Sequence, residues 1–118
     1  MTNEKYLRLV SLLIKRTSEN TARWEQTSRD GVFALSLPDY TVRISMVRNV
    51  DDTEDVKFHI VNSEGKVIDT FTDVEAAEGL VDKGPTYREM ADLYDQARRQ
   101  AFGVDKALDE LIEELGRP

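Results

Sequence analysis

Residues 86–115 read TYREMADLYDQARRQAFGVDKALDELIEEL, and the spacing of apolar side chains in that stretch decides the fold. Steps of three and four from Tyr87 land on Met90, Tyr94, Ala97, Ala101, Val104, Leu108, Leu111 and Leu115. All are apolar or aromatic, and most residues between them are Asp, Glu, Lys, Arg or Gln. The pattern predicts one long amphipathic helix with a continuous seam. Pro85 and a capping-box spacing of Thr86 with Glu89 mark its start, and Gly116 and Pro118 its end. Such a helix of about thirty residues is about 45 Å long.

Upstream of it the apolar period drops to two. Phe33, Leu35 and Leu37 alternate with small residues, Pro38-Asp39 turns the chain, and Tyr40, Val42, Ile44 and Met46 alternate again. Asp51 to Asp55 reads as a loop. Val56, Phe58 and Ile60 follow, then a turn at Asn62-Ser63-Glu64-Gly65, then Val67, Ile68 and Phe71. Four strands joined by short turns predict an antiparallel meander with one apolar and one wet face. Thr72 to Gly84 is an acidic crossing segment with room for one helical turn.

At the N-terminus, Thr2 or Asn3 caps a helix carrying Tyr6, Leu7, Leu9, Val10, Leu12, Leu13 and Ile14. Two endings are open, near Thr17 or near Glu25. The longer is favoured, with Trp24 folding back onto the sheet. The expected fold is therefore α+β over residues 1–118 as a single domain: an N-terminal helix, a four-stranded antiparallel β-meander, and a long C-terminal amphipathic helix packed across one sheet face.

Dimensions make the last helix longer than the sheet it covers, because four strands about 4.8 Å apart give a sheet only about 20 Å across. The helix overhangs at its C-terminal end, where Leu108, Leu111, Ile112 and Leu115 sit together. Leaving such side chains wet forgoes about 1.5–3 kcal/mol each. The first helix or a second copy of the chain is expected to cover them. Phe102 beside Gly103 falls off the seam, and reads as a further contact for a second chain, as a local kink, or as a residue packing on the first helix. The expected interface is thus Phe102, Leu108, Leu111, Ile112 and Leu115.

The totals point the same way. Of 118 residues, 40% are hydrophobic and 33% charged, the balance of a folded soluble domain, and the formal charge is −7. That acidity argues against a phosphate-backbone ligand, so nucleic acid is not expected as a partner. Arg98 and Arg99, with Lys15, Arg16 and Arg23, are the nearest thing to a basic patch, and Asp95 is placed to pair with Arg99. There is no cysteine, which fits a reducing, cytoplasmic setting. No stretch has the roughly 20 apolar residues of a membrane span.

Chemistry finds little to hold. His59, the one histidine, is placed on the wet face of its strand with no nucleophile and acid assigned to it. Asp51, Asp52, Glu54 and Asp55 lack the alternating ligand spacing and central Gly of a calcium loop, and the glycines never cluster to cradle phosphate. No catalytic, metal or cofactor-binding residue is assigned, and no cofactor is expected. Asp39, Tyr40 and Asp69 are polar positions worth locating.

A small acidic protein of helices on an antiparallel sheet resembles bacterial secretion chaperones in architecture, which implies a dimer that holds a client in extended form. It departs from them in having no helix between its strands. The functional expectation is a non-enzymatic protein-interaction module, an adaptor, chaperone or regulator, binding a protein partner or itself as a homodimer. The alternative is a small-ligand binder or enzyme using a pocket between sheet and long helix.

Overall fold

In the computed structural model, which describes residues 2–118, the chain runs α1 (Thr2–Ser18), β1 (Trp24–Gln26), β2 (Phe33–Ser36), β3 (Tyr40–Arg48), β4 (Glu54–Asn62), β5 (Val67–Thr72), α2 (Asp73–Ala76), α3 (Gly84–Phe102) and α4 (Val104–Leu115). The α+β class and the antiparallel meander stand as expected, but the sheet has five strands rather than four, in the order β1-β2-β3-β4-β5.

The extra strand follows from where α1 stops. Asn20 takes a left-handed φ of 60°, and its N–H donates to the Thr17 carbonyl while that of Thr21 donates to Arg16. This pair of bonds is a Schellman ending, with Asn where glycine is commoner. The helix therefore ends at Ser18, not Glu25, and the chain is free to pair Trp24 with Leu35 across the sheet edge. Trp24 does fold back: it is buried, and its indole N–H donates to the Thr17 hydroxyl at 2.9 Å. At the other end of α1, Asn3 lies inside the helix and donates to the Glu78 carbonyl instead of capping, while the side chain of Thr2 lies outside the described residues.

Register places the alternating apolar residues opposite one another, Phe33 against Ile44, Val42 against Ile60, Ile44 against Phe58 and Phe58 against Phe71. These join Val10 and Leu13 of α1 and Met90, Leu93 and Ala97 of α3 in one buried core. Tyr6 stacks on Phe71 with ring centroids 3.9 Å apart and donates its hydroxyl to Asp69 at 2.8 Å, tying α1 to β5. That hydrogen bond, helped by burial and the Asp69 charge, pushes the Tyr6 phenol up to about 12. Leu37, read as a strand residue from the alternation, lies in the β2–β3 turn, and Tyr40 opens β3; both are half exposed.

The long helix is the second departure. It starts at Gly84, two residues before Thr86, which is buried in the first turn rather than capping. It also breaks at Gly103, whose φ of 64° closes α3 through bonds to the Arg99 and Gln100 carbonyls. The Gly103 carbonyl at once accepts from Ala107 and restarts the chain as α4. A left-handed residue is nearly free for Gly and costly for any residue with a Cβ. The crossing segment supplies the capping-box bond that α3 lacks, as the Thr72 N–H donates to Glu75 at the head of α2.

Candidate functional site

Four of the expected interface residues, Leu108, Leu111, Ile112 and Leu115, lie beyond the break, and Phe102 is the last residue before it. α4 has no buried residue, and Phe102, Leu108, Leu111, Ile112 and Leu115 are 53%, 44%, 54%, 69% and 81% exposed. α3 crosses β1 and reaches β2, β3 and β4, whereas α4 touches only α3 closely. Its twelve residues make an arm about 18 Å long. The radius of gyration of 16.0 Å exceeds the roughly 13.5 Å of a compact chain of this length, as a projecting arm requires.

α3 is fixed down to its last turn. The Gln100 amide oxygen accepts the Trp24 backbone N–H at 2.7 Å, and the Phe102 ring meets Phe33 edge-on at 5.6 Å. Phe102 thus spends one edge on the core and leaves the rest of its ring open. Across the break, Arg99 reaches Asp105 at 3.1 Å. Asp95 pairs with Arg98 at 2.9 Å, not with Arg99 as its spacing suggested, so both arginines of the anticipated basic patch face carboxylates. Around its apolar stripe α4 carries Asp105, Asp109, Glu110, Glu113 and Glu114 against Lys106.

The first helix does not cover that stripe. α1 lies beside α3 and α2, and its outward face presents Lys5, Arg8, Leu12, Lys15 and Arg16, with Glu4 and Glu19 at its two ends. Leu12, half exposed, is the large apolar residue on that face.

A concavity of the fold lies on the other side of the sheet from the expected pocket. Between the sheet and α3 the space is filled by Met90, Leu93 and Ala97, all fully buried. On the opposite face of the sheet a depression of about 620 Å³ is lined by Arg29, Arg43, Lys57 and His59, with Ala34, Val47 and Val67 among its apolar walls. His59 does face outward, as its alternation predicts. Its Nδ1 lies 2.9 Å from the Thr70 hydroxyl, and its pKa is lowered, first by burial and then by the charges of Lys57, Arg43 and Arg29.

The acidic turn after β3 is self-contained. The Asp51 carboxylate accepts both the N–H and the hydroxyl of Thr53, and those bonds hold its pKa down. Asp69 receives Tyr6, and Asp39 sits exposed in the β2–β3 turn. Among the described residues, no helix is long and apolar enough to cross a membrane. No family model matches the chain, and neither a curated protein nor a solved structure matches it.

Proposed function

We propose that the protein is an interaction module that self-associates, with α4 of each copy lying along the outward face of α1 of the other. The observation that carries this reading is the exposed stripe of Leu108, Leu111, Ile112 and Leu115 on a helix with no fully buried residue. Single exposed apolar residues are ordinary, but a contiguous row rimmed by charge marks a contact surface.

Charge selects the occupant. Two α4 helices side by side would set five acids against five, whereas the α1 face offers Lys5, Arg8, Lys15 and Arg16 around Leu12. A two-fold arrangement satisfies both surfaces at once, since each copy supplies one acidic arm and one basic face. Acids crowding the C-terminal end of α4 run against its helix dipole, and cations from a facing α1 relieve that mismatch.

Sedimentation equilibrium across concentration and salt tests the proposal. A mass of twice 13.5 kDa that falls towards one chain in high salt, and with Arg8→Glu, is the expected result. A single-chain mass at every concentration would overturn it.

A further inference from the structure

The cationic depression on the open sheet face is built by register. Glu25 pairs with Ala34, Ala34 with Arg43, Arg43 with His59, and His59 with Thr70, so these five residues form one transverse row on that face. Lys57 stands in the next row, between Ser45 and Thr72. Arg29 comes from the β1–β2 loop, which is pinned twice. The Thr27 hydroxyl accepts the Arg29 N–H and donates to the Val32 carbonyl, and the Tyr94 hydroxyl of α3 donates to the Gly31 carbonyl at 2.8 Å. Among the described residues, no carboxylate forms an ion pair with Arg29, Arg43 or Lys57.

We infer that this depression binds a small, multiply charged anion, a phosphate ester or a polycarboxylate, with Arg29, Arg43 and Lys57 as its charge partners and His59 as a further donor when protonated. Three cations gathered around one hollow repel one another, and the half-buried Arg43 and Lys57 also give up hydration, a cost that an anion converts into charge-assisted hydrogen bonds. Burial first, and then the charges of Lys57, Arg43 and Arg29, hold the His59 pKa down, so the ring lies within the field of all three cations.

Scale and net charge decide the class of ligand. About 620 Å³ lies within the range of small-molecule sites. A polyanion such as nucleic acid would feel the whole chain's −7, while a small anion feels the local field of the hollow. Thr70 engages Nδ1 of the His59 ring, which leaves Nε2 to meet the ligand. Glu25, at the far end of the row on β1, and Asp55, paired with Val47 one row beyond Lys57, are acidic groups on the same face that limit how much negative charge fits there.

Because His59 is the one histidine, its Cε1 proton gives an unambiguous NMR signal. The experiment is a pH titration of that signal on the full chain in sodium chloride, sodium pyrophosphate and sodium citrate at matched ionic strength. An anion held beside the ring favours the imidazolium, so the midpoint should rise by about one unit, the linkage equivalent of tenfold tighter binding to the protonated form. Arg43→Gln, checked for an unchanged amide spectrum, should weaken the apparent affinity about tenfold. A rise with pyrophosphate alone assigns phosphate, a rise with citrate alone assigns carboxylate, and a rise with both assigns a site that reads charge. Midpoints that coincide in all three salts would overturn the inference, and so would a rise that Arg43→Gln leaves intact.

Discussion

α3 and α4 carry one continuous seam in the sequence and meet opposite fates in the fold. Met90 and Ala97 of that seam are wholly buried, as is Leu93, which the seam passed over in favour of the half-buried Tyr94, while Leu108, Leu111 and Leu115, on the same three-and-four spacing, stay 44% to 81% exposed. Periodicity reports which face of a helix is apolar, and it is silent about what covers that face. The sheet runs out beneath the seam, and beyond the half-buried Val104 the pattern stays open to solvent. The same comparison separates two energy scales: burial in the core acts on folding, and burial of the arm can act only on association.

The sharpest way to break that contrast is to delete equal volumes on its two sides. Leu93→Ala should cost about 2–5 kcal/mol in urea unfolding, because a fully buried leucine leaves a cavity as well as losing transfer energy. Leu108→Ala, at 44% exposure on the arm, should cost less than about 1 kcal/mol in the same measurement on the dilute protein. Equal losses would place α4 inside the folding unit and remove the distinction.

The polar groups of the core side offer the next test. Asp73 is buried and accepts the Val56 backbone N–H at 2.8 Å. Asp73→Ala orphans that donor and should cost about 1–3 kcal/mol. Asp73→Asn keeps an acceptor oxygen and avoids a buried charge. Burial, the leading cause, raises the Asp73 pKa in the folded chain. A raised carboxyl favours folding below its unfolded pKa, and that contribution is lost as pH rises through the folded value. Asn should therefore gain on Asp as pH climbs out of the acid range, read from paired melting curves. A constant difference at all pH values would show that burial does not govern this carboxyl.

Much of this was legible and some was not, for reasons that lie in particular residues. Phe33 to Phe71 declared four strands because each carries several alternating apolar positions. β1 has one, Trp24, followed by Glu25 and Gln26, too short for any period to register. Its real signal was Asn20, a residue suited to a left-handed helix ending. The arm's overhang was readable from lengths alone, and Gly103 was visible as a weak point, although sequence could not say that it would end one helix and begin another. Arg29, Arg43, Lys57 and His59 were out of reach, since strand register and a pinned loop bring them together.

Gly103 is the hinge of the comparison, and substituting it tests whether the two halves need the break. Nothing lies within 4 Å of a Cβ built there, so space is no obstacle. The positive φ is the obstacle, and Gly103→Ala should cost about 1–2 kcal/mol if the break is kept. A gain in helix content by circular dichroism with no loss of melting temperature would mean that α3 and α4 fuse, as the unbroken seam first suggested.

The smallest effect on folding should come from the change that reads as the most violent. Leu111→Asp puts a charge in the middle of the apolar stripe, and a continuous helix laid on the sheet would not survive it. Here Leu111 is 54% exposed on a helix without a buried residue, so at high dilution the unfolding free energy should move by no more than about 0.5 kcal/mol. Its cost belongs to the self-association proposed for α4, and sedimentation should show a single chain at concentrations where the parent forms a pair. An unfolded Leu111→Asp variant would mean that the stripe is already covered within one chain, and the arm would then have no face left to offer a partner.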